Sequence, residues 1–426
     1  MLFIISFIFL FASYLLKPVR ETLVLVNGGA EMRSYVIAAQ AMLLLAVLPA
    51  YGLLFKHSDK QVLMQTIIGC MAGFLCFFYM NTYIFLVQMP MAFYIWMGLF
   101  GVLIVAQFWA FTSDLYSEGA GKRLFAIIAL GASSGAWAGS LAAKKLFEAM
   151  GPEGLVLIAI AMLAMTMLVV PRIERTIPKT SHSSYTPEQE IIDQHIFSGF
   201  RLVFASRYLL AIAIFVVLFN WVNSTGDFIL SAWVDTRAEE IVGTDPEAKS
   251  NYIGTFYAEF YFMMSLVGFL IQALLVSRII KYFGVSLALT ILPIIIIMGY
   301  LGIMIFPIFT FFYVFRIAEN SIGYSLQNTV RQVLFLPTSK QEKYEARSVI
   351  ETFFWRIGDV LQALVVYIGY NLLDMEWKHY AIMNLVLTVI MLAMALRIGY
   401  HYRKLHANWN PDDLLAEIHN PEQEPA

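Results

Sequence analysis

Residues 2–26, LFIISFIFLFASYLLKPVRETLVLV, make an apolar run long enough to cross a bilayer, with Lys17, Pro18, Arg20 and Glu21 set inside it. A charge at the centre of a spanning helix costs about 2.5–3.5 kcal/mol unless it faces a cavity or a partner. Lys17 and Arg20, at i and i+3, share one face, and Glu21, at i+4 from Lys17, is in reach to pair with it. Pro18 removes a backbone hydrogen bond and bends the helix, which lipid tolerates where a cavity or neighbour satisfies the freed carbonyl. Were the span to end at Leu16 with both cations at the interface, residues 2–16 would be short for a bilayer and Val24, Leu25 and Val26 would be left over. The cavity reading is therefore preferred: one or two incompletely neutralised cations able to take a phosphate or carboxylate.

Similar runs recur along all 426 residues, which are 60% hydrophobic and 14% charged, with a mean hydropathy of +0.71. Soluble domains carry about 25% charged residues, so lipid is the solvent here. The breaks predict an all-α membrane protein with twelve transmembrane helices near 2–26, 33–55, 61–80, 84–112, 124–147, 153–170, 208–234, 251–276, 284–304, 308–336, 347–372 and 379–401. Residues 1–170 and 208–402 then form two six-helix halves. The polar stretch 171–207, with Pro178, Ser181, His182, Ser183, Ser184 and Pro187, is the linker, and 403–426 is a polar tail. The first run has neither a basic leader nor a small-residue cleavage site, so it is expected to stay as a helix. The net charge of −2 gives no reason to expect nucleic acid as a partner. Cys70 and Cys76 fall on different faces of one run, which suits neither a disulfide nor a metal, and they read as buried packing residues.

Lysine and arginine set the orientation. With both termini on one side, that side takes Lys56, Lys60, Lys122, Arg123, Arg172, Arg175, Lys179, Arg201, Arg207, Arg278, Lys281, Lys340, Lys343, Arg347, Arg403 and Lys404; the other takes Arg33, Lys144, Lys145, Arg237, Lys249 and Lys378. Sixteen against six places both termini and the linker in the cytoplasm.

More charges interrupt the second half. Arg316 and Glu319 sit at i, i+3 in the tenth span, a spacing that also suits a structural ion pair, and Arg331 follows further along without an obvious acidic neighbour. Glu351, Arg356 and Asp359 share apolar surroundings in the eleventh span; Asp227 and Glu259, in the seventh and eighth, are cation partners or proton carriers. Most tryptophans fit interfacial belts, while Trp221 and Trp355 lie beside polar residues, where stacking on a flat solute ring is the alternative. Gly119-Ala120-Gly121-Lys122-Arg123 lacks the earlier glycine and the Ser/Thr of a phosphate loop. The seven histidines show no metal-ligand spacing, and there is no nucleophile elbow or paired-carboxylate constellation in a soluble context. No catalytic residue, metal or cofactor is expected.

The halves echo each other weakly: Phe11–Thr22 lies over Ile214–Thr225, setting Lys17 opposite Asn220 and Arg20 opposite Asn223, and the basic pair Lys122-Arg123 has a counterpart in 340–347. Six-plus-six topology with parallel repeats is the architecture of the major facilitator superfamily, whose halves rock about a midplane site. Lys17-Pro18-Val19-Arg20-Glu21, then Phe108-Trp109-Ala110-Phe111 running into Lys122-Arg123-Leu124-Phe125, then Gln327-Asn328 with Arg331 to Phe335, occur in the order seen in the bacterial and plastid-type ADP,ATP carriers, which this chain resembles over nearly its whole length. The resemblance implies nucleotide exchange, with Lys17 and Arg331 matching basic residues that contact phosphates. ATP/ADP exchangers carry a glutamate where this chain has Met97 and Gly98, and another where it has Asn223, departures that bear against strict ATP/ADP exchange.

The expectation is a secondary transporter of a nucleotide or other anionic solute, working by alternating access as a monomeric multi-pass unit of the bacterial inner membrane. Lys17, Arg20 and Arg331 are the expected solute ligands; Glu21, Asp227, Glu259, Arg316, Glu319, Glu351, Arg356 and Asp359 are expected in gating or ion pairs. A same-fold carrier of a peptide, drug or lipid-like anion is the first alternative. A membrane sensor or scaffold, the second, would have a dry centre with every buried charge paired.

Overall fold

A computed structural model describes residues 2–57, 60–81, 88–115, 118–176, 196–339 and 341–407. Among these the chain is helical, without strands. The elements are α1 (Leu2–His57), α2 (Lys60–Asn81), α3 (Gln88–Leu115), α4 (Glu118–Thr176), α5 (Ile196–Ala205), α6 (Arg207–Val242), α7 (Pro246–Leu274), α8 (Val276–Ile305), α9 (Phe309–Ile322), α10 (Asn328–Leu334), α11 (Arg347–Val349), α12 (Trp355–Asn371) and α13 (Trp377–Ala407). Single wide π turns occupy Gly323–Gln327, Glu342–Ala346 and Ile350–Phe354.

Among the described residues, eight helices are long and apolar enough to cross a bilayer. Two of them, α1 and α4, are double passes, each broken at a glycine with positive φ: Gly29 at 65° and Gly151 at 64°. A side chain strains that backbone conformation, so glycine is the residue that permits the turn. The α9–α10 and α11–α12 runs, interrupted by π turns, supply one pass each. Together these give the twelve passes read from hydropathy.

The ends of α6 and α7 are also written in the sequence. Ser206 caps α6 by accepting from the Leu209 amide at 3.4 Å, and Gly243 ends that helix with φ 71°. Asp245 then caps α7, with Pro246 in its first turn, where a missing N–H is harmless.

Buried apolar side chains fall into two main clusters, one drawn almost wholly from 2–163 and the other almost wholly from 203–402. Lipid is as apolar as leucine, so close packing rather than water exclusion holds such helices together. In the first bundle, Gly131, Gly135 and Gly139 let α4 rest on the carbonyls of α1. A Cβ at these positions would lie 2.5, 2.2 and 2.3 Å from the oxygens of Phe3, Phe7 and Phe11. Gly358 plays the same part in the second bundle, where a Cβ would lie 2.8 Å from the Val217 carbonyl.

The structure adds detail to one sequence expectation and corrects another. The stretch taken as linker, 171–207, contains the end of α4 and all of α5, an amphipathic helix whose Gly199 packs on Val349 and the Glu345 carbonyl. Cys70 and Cys76 are exposed on α2, not buried, and neither forms a disulfide. Residues 177–195, the tail 408–426 and the side chains of Lys122 and Arg123 lie outside the described residues.

Candidate functional site

The turn at Gly29 folds α1 back on itself, so that Arg33, twelve residues after Glu21, reaches it. Arg33 Nε donates to Glu21 Oε2 at 2.5 Å, Arg20 Nη2 to Oε1 at 2.6 Å, and Tyr261 of α7 donates its hydroxyl to Oε1 at 2.9 Å. Glu21 is fully buried and its oxygens are thus engaged three times. Across the bundle interface, Arg33 Nη2 lies 3.6 Å from Asp227 Oδ2 on α6. Asp227 also pairs with Arg316 of α9, which is fully buried and pairs in turn with Glu319. The Arg316 Nη2 further donates to the Asn223 carbonyl at 3.1 Å and to Asn223 Oδ1 at 3.3 Å. This chain of alternating charge runs Arg20, Glu21, Arg33, Asp227, Arg316, Glu319, and it ties the two bundles together. Each buried carboxylate meets at least one guanidinium, which is what makes burial tolerable.

Other links between the bundles lie toward the same end, near the Gly29 and Gly151 turns. Gln362 Nε2 donates to Ser34 Oγ at 3.1 Å, Asn371 Nδ2 to Glu31 Oε1 at 2.7 Å, and Lys144 Nζ to Glu259 Oε1 at 3.1 Å.

Below the charge chain, a cavity of about 400 Å³ runs from Asn223 and Glu319 down to Gln332 and Glu351. Its wall carries Arg331, 9% exposed, whose Cζ stands 4.5 Å from the Trp355 ring centre. Arg331 donates one bond, Nη2 to Asn328 Oδ1 at 3.1 Å, while its Nε and Nη1 are buried with no partner. Arg356 lines the same space and pairs with Asp359 at 3.3 Å, which also accepts from Ser224 Oγ at 2.8 Å. Glu351 is paired with Arg347 at 3.3 Å. Tyr324 of the first π turn lines the cavity as well. Lys17 makes no ion pair among the described residues; its ammonium lies 3.5 Å from the Tyr14 ring centre and 5.2 Å from that of Tyr261.

The structure therefore gathers most of the residues singled out from sequence, in altered partnerships. Glu21 pairs with Arg20 and Arg33 rather than with Lys17, because the hairpin delivers a closer guanidinium. Asp227 is a cation partner. Glu259 stands apart from the central chain, about half exposed beside Lys144. Trp355 faces the cavity, whereas Trp221 does not line it. Sequence reasoning missed Arg33, taken there as a loop residue; the signal was Gly28-Gly29 between it and Glu21. It also missed Tyr94, whose ring centre lies 4.3 Å from the Arg20 Cζ, and Tyr261. The positions that depart from the ADP,ATP carrier pattern are structurally explicit: Met97 is buried in apolar packing, a Cβ on Gly98 would lie 2.0 Å from the Gln40 amide, and Asn223 serves Arg316.

No family model matches the chain, and no curated protein matches it. Solved structures do. A bacterial homologue of the human lysosomal transporter Spinster, crystallised inward-facing and unoccupied, aligns with a TM-score of 0.60 at 13% identity, covering 96% of this chain and 99% of that one. The nucleoside transporter NupG aligns with a TM-score of 0.67 at 12% identity, and a point mutant of NupG with 0.66 at 15%, each covering 93% of this chain and 98% of the other. The chain has the all-α, major facilitator-like fold of these proteins.

Proposed function

We propose that this chain is a secondary transporter that moves a phosphorylated solute, a nucleotide in particular, through the cavity lined by its second bundle. The carrying observation is Arg331: a nine-tenths buried residue on the wall of a cavity lined mostly by polar side chains, with two buried N–H-bearing nitrogens that have no partner. A scaffold would have no use for it, and a dry centre with all charges paired is not what surrounds it.

Charge accounting supports the substrate class. Lys17, Arg20, Arg33, Arg316, Arg331 and Arg356 stand against Glu21, Asp227, Glu319 and Asp359, leaving two cations in excess, Lys17 and Arg331. A phosphate group carries about −1.5 to −2 at neutral pH and accepts bidentate bonds from guanidinium. A neutral nucleoside would leave both cations uncompensated. The nucleoside transporter NupG shares the fold, and Trp355 beside Arg331 offers a stacking face for a base. Enclosing the empty site would bury both cations without a counter-charge, which favours closure of the loaded carrier and hence exchange. The positive-inside asymmetry supports cytoplasmic termini and an inner-membrane location, with the cavity open to the cytoplasm and the buried charge chain closing the far side. A single chain holds the whole site, which supports a monomeric transport unit.

Proteoliposomes preloaded with unlabelled nucleotide test this. Labelled nucleotide uptake should exceed nucleoside uptake, depend on internal nucleotide, and fall in Lys17→Ala and Arg331→Ala. Equal uptake of nucleoside and nucleotide, or flux indifferent to both substitutions, would overturn it.

A further inference from the structure

At the end of the second bundle that carries the start of α8 and the close of α13, a second cavity of about 510 Å³ opens between the two helices. Its floor is fixed: Ser286 Oγ donates to the Gly399 carbonyl at 2.9 Å, and Gly399 has no room for a Cβ against Ser286. Gly284, at φ 74°, breaks α8 at the cavity's edge, so residues 276–283 leave the line of 285–305 and the space stands open. Phe283, Leu287 and Leu396, each half exposed or more, supply an apolar wall, and Arg403 stands at the rim.

These two helices carry charge of one sign only. Arg278, Lys281, Arg397, Arg403 and Lys404 are exposed on these two helices, and neither α8 nor α13 contains a single Asp or Glu. None of the five makes an ion pair among the described residues, so their charge is unspent. Tyr282 and Tyr400 stand among them, exposed, with the Lys281 and Lys404 ammonium groups 5.8 and 4.8 Å from their ring centres. Aromatic and basic side chains mixed in this way belong at the headgroup level of a membrane.

We infer that this groove binds one anionic phospholipid, its phosphate held by Arg403 with Lys281 and Arg278 nearby and its acyl chains lying along Phe283, Leu287 and Leu396. Charge complementarity selects the headgroup, since basic pockets between helices at the membrane surface take anionic lipids. The apolar wall selects a diacyl lipid over a free anion. The groove lies outside the solute cavity, so this site stands or falls separately from the transport reading.

Native mass spectrometry of the full chain, extracted from nanodiscs of phosphatidylcholine doped with phosphatidylglycerol, tests it. Wild-type protein should retain one phosphatidylglycerol in preference to phosphatidylcholine. The triple variant Arg278→Gln, Lys281→Gln, Arg403→Gln should lose that preference by about fivefold per cation, roughly a hundredfold in all. These side chains hold no ion pair, so the variant should unfold at the wild-type temperature. Filling the groove with Leu396→Trp should lower retention of both lipids. Equal retention of the two lipids by wild type, an unchanged preference in the triple variant, or displacement of the lipid by inorganic phosphate alone would each overturn the assignment.

Discussion

Arg331 and Arg316 are both buried guanidiniums on one helical run, and replacing each with glutamine should have opposite consequences. Arg316→Gln strips Asp227 and Glu319 of their shared partner, leaving Glu319 buried without a counter-charge and Asp227 with Arg33 alone, at 3.6 Å. Breaking a buried pair in this way costs about 3–5 kcal/mol. Arg331→Gln breaks no ion pair. It removes a desolvated cation with unsatisfied N–H groups, a gain, and forfeits the contact with Trp355, worth about 0.5–2 kcal/mol. Fold stability should therefore change by no more than about 1 kcal/mol in either direction. Ligand binding should behave in reverse. A hydrogen bond to a charged group contributes about 1.5–3 kcal/mol, so Arg331→Gln should weaken nucleotide affinity by roughly 10- to 150-fold. Intrinsic tryptophan fluorescence during thermal unfolding, with and without nucleotide, reads both quantities on the purified protein. If Arg331→Gln destabilises the apo protein as severely as Arg316→Gln while nucleotide protection survives, Arg331 is a structural residue and the site has been misassigned.

Further outcomes rest on other contacts. Gly135→Val should abolish folded protein in the membrane, measured as monodisperse yield, because the new Cβ would lie 2.2 Å from the Phe7 carbonyl, whereas Ser133→Val, at an exposed position two residues earlier, should be tolerated. Lys144→Ala should cost less than about 1 kcal/mol, since its pair with Glu259 is roughly a third to a half exposed; a loss well beyond that in chemical denaturation would contradict it. With Cys70 and Cys76 replaced by serine, a short thiol crosslinker between Ser34→Cys and Gln362→Cys, whose native side chains hydrogen-bond at 3.1 Å, should stop transport until it is cleaved. Unchanged flux in the crosslinked protein would show that this end does not open.

Hydropathy made the twelve passes legible because lipid tolerates little else than long apolar helices, and the cost of burying charge marked Lys17, Glu21, Arg316 and Arg331 before any contact was known. Partnership was less legible. Arg33 looked like a loop cation because a run of apolar residues ends before it, yet the turn at Gly29 folds the second arm of α1 back so that the Arg33 side chain reaches Glu21. The stripe Gly131, Gly135, Gly139 was present in GASSGAWAG but carried no hydropathy signal, since its role is to remove side-chain bulk rather than to add apolar area. Helix α5 sat inside a stretch judged by its overall polarity, which masked the spacing of Ile196, Phe200, Val203 and Phe204. The exposed cysteines show the same limit: in lipid, apolar does not mean interior, and side-chain type alone says little about which way a residue faces.

The π turn at Gly323–Gln327 decides which side chains share the cavity wall. Glu319 and Arg331 are twelve residues apart, which on an uninterrupted α-helix leaves them about 120° out of phase. One residue taken up by the wider turn rotates the rest of the helix back by about 100°, bringing both side chains onto the wall that they share. The direction of the free guanidinium is thus written in a backbone register, as an extra beat in the helix, and not in any side chain of the turn itself. Removing one residue from 323–327 would leave every charged residue in place in the sequence and turn Arg331 away from the cavity.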